Sequence, residues 1–359
     1  MGPKQRIMAA LLALLTGAAA AAELPSRETW ASRSDREAVR GEVDALLGLA
    51  RHGDRDALQA RIEGHQHQAP EQPAWHEAVL AGFARALAKE APDPTLVPLL
   101  EALTRHEPVA LAGHPERRSS GIPAFRVAGL ARGTLNRWTA EAFREEAAAA
   151  LAVGNTDWFA ARSKRPATTP EVAGLDAALA AASAETIVRV GDALAGLWQA
   201  RPELARTATS AALAAGSAWP VTAALAGPGG ARLVPDLPLL HDRLPAAEAA
   251  ALREAALEAP APEVRSTAVG LLAQAGELER TAALLGDPAL GSSAALALAN
   301  TGAFGTLEAL LANAGSPKAA RRDAVLALRI DGSPRARAIL DAAAAGEGPG
   351  SQEVRQWLD

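Results

Sequence analysis

The second half of the chain repeats itself, and that repeat constrains the fold more than any other feature. Four stretches align: PELARTATSAALAAG from Pro202, PEVRSTAVGLLAQAG from Pro262, PALGSSAALALANTG from Pro288 and PKAARRDAVLALRID from Pro317. In the first three, Pro and Gly stand 14 residues apart; in the fourth, Asp331 takes the Gly position and Gly332 follows. Pro fits the first turn of a helix, where its missing N–H has no partner to lose, and Gly fits the left-handed residue just past the end. Each stretch therefore reads as a helix with both ends specified. Shorter second helices follow at Leu278 to Leu285, Phe304 to Leu311 and Ala336 to Ala343. Successive starts lie 26 and 29 residues apart, and the 60 residues from Pro202 to Pro262 leave room for two units. One helical hairpin of this size cannot bury its own apolar face, whereas a stack of them can. The expected fold class is all-α: an α-solenoid of stacked antiparallel helix pairs.

Composition agrees. Alanine supplies 92 of 359 residues, aromatics only 3%, and there is no Tyr. A β-sandwich or barrel draws on the aromatic and β-branched residues that are scarce here, while alanine is the best helix former and makes slim helices that pack closely. The first half shows helical spacing without the Pro-to-Gly signature. Ser34 and Glu37 read as a capping box ahead of Val39, Val43, Leu46, Leu47 and Ala50, with Gly53 as the stop. Asp54 caps a second helix running into a polar loop, Gly64 to Gln68, and Pro73 opens a third. Helices at 123–138 and, capped by Thr139, at 140–153 follow the longest break, residues 106–122, and no strand-period stretch is visible. The domain reading is 1–22 leader, 23–200 helical region with divergent repeats, 201–345 repeats, and 346–359 linker with a short helix.

The leader is read as a secretory signal. Lys4 and Arg6 give it a positive start, Ile7 to Leu15 an apolar stretch, and Ala20-Ala21-Ala22 before Glu23 a cleavage site. Its 16 apolar-rich residues fall short of the ~20 that a spanning helix needs, so no stable membrane insertion is expected after cleavage. The expected location is periplasmic or secreted. Zero cysteines exclude disulfides, thiolate metal sites, thiol nucleophiles and covalent haem. A formal charge of -5 and the lack of any long basic run argue against nucleic acid as a partner.

PEVRSTAVGLLAQAGELERTAALLGDP resembles the short HEAT-like repeat of the phycobilisome-lyase type, through Pro262, Val264, Arg265, Ala268, Leu271, Leu272, Gly276, Leu284 and Leu285. The resemblance covers 202–345 and extends in helix pairing to 34–200. It implies the solenoid and no particular activity, because such repeats host many functions. Trp75 to Leu87 and Arg321 to Leu358 also look like parts of the solenoid that joins a β-propeller to a cytochrome c domain in some secreted bacterial dehydrogenases. Here there is no CxxCH and no propeller repeat, which would leave the spacer alone.

Catalytic motifs are missing. GxSxG and Ser-x-x-Lys are absent, and His76-Glu77 lacks the second His of a zinc-protease helix because Leu80 stands in its place. His65 and His67 read as solvated loop histidines. No catalytic, cofactor or metal residues are expected. The candidates for contact with a partner protein are His114, Arg117 and Arg118 in the long loop, the Trp158-Phe159 pair as an exposed aromatic contact, and Arg265 and Arg321 on first helices. The expected function is an exported, non-catalytic scaffold or accessory subunit that binds another protein. The alternatives are an accessory module of a periplasmic redox enzyme, or an enzyme whose acid–base groups converge only in the fold, for instance around His76 or His114.

Overall fold

The computed structural model describes residues 24–114, 121–313, 315–346 and 349–358. Residues 1–22, read from sequence as a leader, therefore lie outside the described residues, as do Arg117 and Arg118. Twenty-one α-helices and a single two-stranded sheet make the described chain all-α. It divides into two compact units, one ending at Ala142 and the other starting at Phe143.

The first unit holds α1 (Arg27–Arg33), α2 (Arg36–His52), α3 (Arg55–Gln68), α4 (Pro73–Leu87), α5 (Val97–Leu103), β1 (Leu111–Gly113), β2 (Gly121–Pro123) and the start of α6 (Val127–Val153). The N-cap of α2 is Asp35 and not Ser34: its carboxylate accepts the N–H groups of Glu37 and Ala38, while Ser34 closes α1. Asp54 caps α3 as expected, and Gly53 ends α2 in the left-handed region at φ 75°. Leu46, Leu58, Ile62, Val79, Leu80, Phe83, Leu100 and Leu103 form the core of this unit, with Ala131 and Trp138 from α6. Thr134 ties α6 to α4 by donating its hydroxyl to the Ala84 carbonyl at 2.8 Å.

Two expectations fail in this region. The helices at 123–138 and 140–153 are one helix, because no Pro interrupts the run and Thr139 sits on its exposed face. The break at 106–122 holds a short antiparallel pair, with Leu111 opposite Pro123 and Gly113 opposite Gly121. Three-residue strands are too short to show an alternating period.

The second unit runs through α7 (Thr156–Arg162), α8 (Thr169–Ala181), α9 (Ala184–Arg189), α10 (Gly191–Ala200), α11 (Thr207–Ala215), α12 (Trp219–Leu225), α13 (Leu237–Arg243), α14 (Ala246–Leu257), α15 (Pro262–Gln274), α16 (Leu278–Ala283), α17 (Gly291–Asn300), α18 (Phe304–Ala312), α19 (Lys318–Asp331), α20 (Pro334–Ala345) and α21 (Pro349–Leu358). Pro262 opens its helix, whereas Pro202 opens a 3-10 turn five residues ahead of its helix, Pro288 precedes its helix by three residues and Pro317 is an N-cap. All four repeat glycines, Gly216, Gly276, Gly302 and Gly332, have positive φ at or just after the helix end. The interval from Pro202 to Pro262 holds two helix pairs, α11–α12 and α13–α14.

Neighbours pack in sequence: α8 on α11, α11 on α13, α13 on α15, α15 on α17, and α17 on α19. The second helices pack in two runs, α10–α12–α14 and α16–α18–α20. The apolar cores split at the same place, one spanning 143–271 and the other 269–354. Polar ties bridge successive pairs. Arg253 donates to Glu277 at 2.6 Å, Arg280 forks onto Glu254 at 2.6 and 2.7 Å, and buried Asp323 accepts the Gly286 N–H at 3.0 Å.

Candidate functional site

His65, expected in a solvated loop, instead joins a buried polar cluster in the first unit. Helix α3 continues through Gly64 to Gln68, so Leu58, Ile62 and His65 share one inward face and His65 is buried. The signal was present in the spacing of Leu58, Ile62, His65 and Ala69, which follows the helical period. His67, two residues on, is exposed.

Three helices supply the cluster. The carboxylate of Glu42 on α2 takes a two-pronged bond from Arg61, at 2.6 and 2.7 Å, and lies 3.0 Å from His65 Nε2. His65 Nδ1 lies 2.9 Å from Nδ1 of buried His76 on α4. Trp75 packs on both imidazoles, with ring centroids at 5.1 and 4.7 Å. One proton fits between two facing ring nitrogens. With both rings neutral, His65 donates Nε2–H to Glu42 and His76 donates Nδ1–H to His65. Burial raises the Glu42 carboxyl, but its bonds from Arg61 and His65 outweigh that and hold it below the ordinary carboxylate range. Burial and the neighbouring His65 push His76 below its usual value. Arg61, Glu42, His65 and His76 thus form one continuous hydrogen-bonded row. Among the described residues, no group of three His, Asp or Glu side chains is arranged to hold a metal.

Glu77, next along α4, faces elsewhere and is fully buried. Its Oε1 accepts the Val109 N–H at 2.5 Å and lies 3.2 Å from His106 Nε2, while Oε2 has no partner. The pair fixes the chain segment that leads into β1.

Those of the residues picked out from sequence that are described lie on different elements, except that Trp158 and Phe159 share α7. His114 follows β1. Phe159 is wholly buried in the core of the second unit, so it is not an exposed aromatic contact. Trp158 is half-buried, packed 5.2 Å from Phe143 with the Arg162 guanidinium 4.6 Å over its ring. The period of α7 points its first aromatic sideways and its second inward, a distinction invisible without knowing which neighbours the helix meets. Arg265 is half-buried on α15. Arg321 is buried on α19 and donates to the Ser316 carbonyl, so it serves the fold of its own repeat and not an open surface.

No protein-family model matches this chain, and no curated protein matches it. Among the described residues, no helix is long and apolar enough to cross a membrane.

Proposed function

We propose that this chain is an exported, non-catalytic scaffold built as an α-solenoid of HEAT-like repeats, which binds another protein along its first helices. The stacking order of helices supports the solenoid reading. The observation that carries the binding reading is a recurring exposed apolar position. Leu296 and Leu326 each stand six residues before a left-handed glycine, Gly302 and Gly332, on the packed neighbours α17 and α19, and they are 47% and 40% exposed. Ile330 adds a 46% exposed side chain on α19. At the equivalent place on α15 stands Gly270, whose open surroundings prolong the surface. Isolated exposed leucines are ordinary, but a repeated register of them on adjacent helices suits a partner interface.

A photo-crosslinking residue placed at Leu296 or Leu326 in producing cells should trap one discrete protein, and Leu296→Glu with Leu326→Glu should abolish that adduct while thermal unfolding is preserved. Adducts no different from those of a crosslinker at exposed Glu185 would overturn the reading. A second reading, an enzyme with acid–base groups that converge only in the fold, rests on the Glu42–His65–His76 row. It requires a turnover that His76→Gln removes.

A further inference from the structure

A cleft of about 310 Å³ opens in the first unit where α1, the turn before β1, β2 and the start of α6 meet. Three kinds of hydrogen-bonding group converge on it, from α1, the turn before β1 and the start of α6. Arg126 is exposed at the start of α6 and its guanidinium has no hydrogen bond or ion pair with another described residue, and the Arg27 side chain from α1 has only a long 3.5 Å contact to the Pro123 carbonyl. Ala128 and Gly129 line the cleft in the first turn of the 27-residue α6, where backbone N–H groups have no carbonyl four residues back within the helix and the dipole favours negative charge. His106 also lines it, with a side chain only 6% exposed and its Nε2 committed to Glu77.

That commitment sets the chemistry of the other nitrogen. With the ring neutral, a carboxylate beside Nε2 favours the proton there and leaves Nδ1 as an acceptor, and no other described residue hydrogen-bonds Nδ1. Arginines and free N–H groups ask for an anion; a lone acceptor beside them asks for a donor on the same ligand. The apolar walls, Ile122 and Phe125, ask for a hydrocarbon body. Glu77 itself does not line the cleft.

We propose that this cleft binds a small organic carboxylate carrying a hydroxyl or amino group next to its carboxyl and an apolar side group. The carboxylate meets Arg126, Arg27 and the first turn of α6, and the adjacent donor meets His106 Nδ1. Glu77 is a positioning residue that holds the imidazole in the accepting tautomer. The proposal is independent of the scaffold reading, which concerns the second unit.

Calorimetric titration of the full chain with 3-phenyllactate, 3-phenylpropionate and inorganic phosphate tests it. Phenyllactate should bind at one saturable site, and phenylpropionate, which lacks only the hydroxyl, about fivefold to tenfold more weakly. Arg126→Gln should weaken both carboxylates about tenfold or more, while Arg40→Gln, an exposed charge outside the cleft, should change neither. His106→Gln should remove the preference for phenyllactate. If that variant unfolds, Arg126→Gln and the analogue pair still decide. No saturable binding of phenyllactate, unchanged binding in Arg126→Gln, or phosphate binding as tightly as phenyllactate would each overturn the proposal.

Discussion

Glu171 shows how one side chain stabilises a local structure and makes it sensitive to pH. It is the third helical residue of α8 and closes the capping box that Thr168 opens, accepting from Thr168 and held by a fork from Arg165. The Arg165 bond, followed by those from Thr168 against the opposing effect of burial, lowers its carboxyl from 4.5 to about 2. A depressed carboxylate contributes stability above its unfolded value and loses it as pH falls through the folded value. Wild-type protein should therefore lose on the order of 2 kcal/mol between about pH 4.5 and 2 that Glu171→Gln does not lose, as read by urea unfolding at stepped pH. His76 moves with the opposite chemistry in the same direction. Kept neutral by burial and by His65, it binds fewer protons folded than unfolded, so its share of stability is present above its ordinary 6.5 and is lost as pH falls below it. Its neighbours Glu42, Arg61, His65 and Glu71 surround that titration. Unfolding midpoints of the wild type and His76→Gln should diverge between pH 7.5 and 5.5, the wild type falling further. Parallel curves would show that His76 titrates as it does in the unfolded chain. His65 was legible as a core position from its spacing with Leu58 and Ile62, but its residue type argued for solvent. Only Glu42 and His76, brought in from two other helices, make that burial tolerable.

At the scale of the element, the punctuation of each helix was the most readable feature and the apolar run between punctuation marks the least. Gly276 closes α15 at φ 82° and Gly270 lies inside the same helix, and neither has an atom within 4 Å of an added Cβ. Space is therefore equal and backbone conformation alone separates them. Gly276→Ala should cost about 1 kcal/mol, whereas Gly270→Ala should gain about 0.5–1 kcal/mol. Two thermal melts check both, and a like sign for the two would refute the argument. Where punctuation was ambiguous, the reading slipped. Ser34 and Asp35 are both good caps, and the choice fell to Asp35 because α1 needed Ser34 at its own end. Thr139 looked like a cap inside α6, yet nothing there forces the backbone out of the helix. Trp158 and Phe159 are adjacent, so one had to face inward, and the packing of α7 on α10 decided which.

For the whole molecule, the proposal that residues 1–22 are a cleaved export leader makes a prediction that needs no structure: if the chain is exported, the mature protein should begin at Glu23, and intact mass measures it. A chain retaining Met1 to Ala22 would overturn the export reading. The repeat determined more. The glycines fixed where helices stop, the prolines fixed a helix start only at Pro262 and stood up to five residues ahead of it at Pro202, and the alanine between them favoured slim helices, because these are local properties of backbone sterics and side-chain size. Helical content, the pairing of helices after Pro262, and two extra pairs in the gap before it were all available from sequence alone. Tertiary structure decided what locality cannot reach. It set the division of the chain at 142/143, the break between the α10–α12–α14 and α16–α18–α20 runs, and the meeting of Glu42, His65 and His76. It also placed Arg27, His106 and Arg126 around one cleft although 99 residues separate the first from the last. A side chain's neighbours along the helix follow from a period of 3.6, but its neighbours across helices depend on which faces pack, and that is settled only by the collective burial of the core.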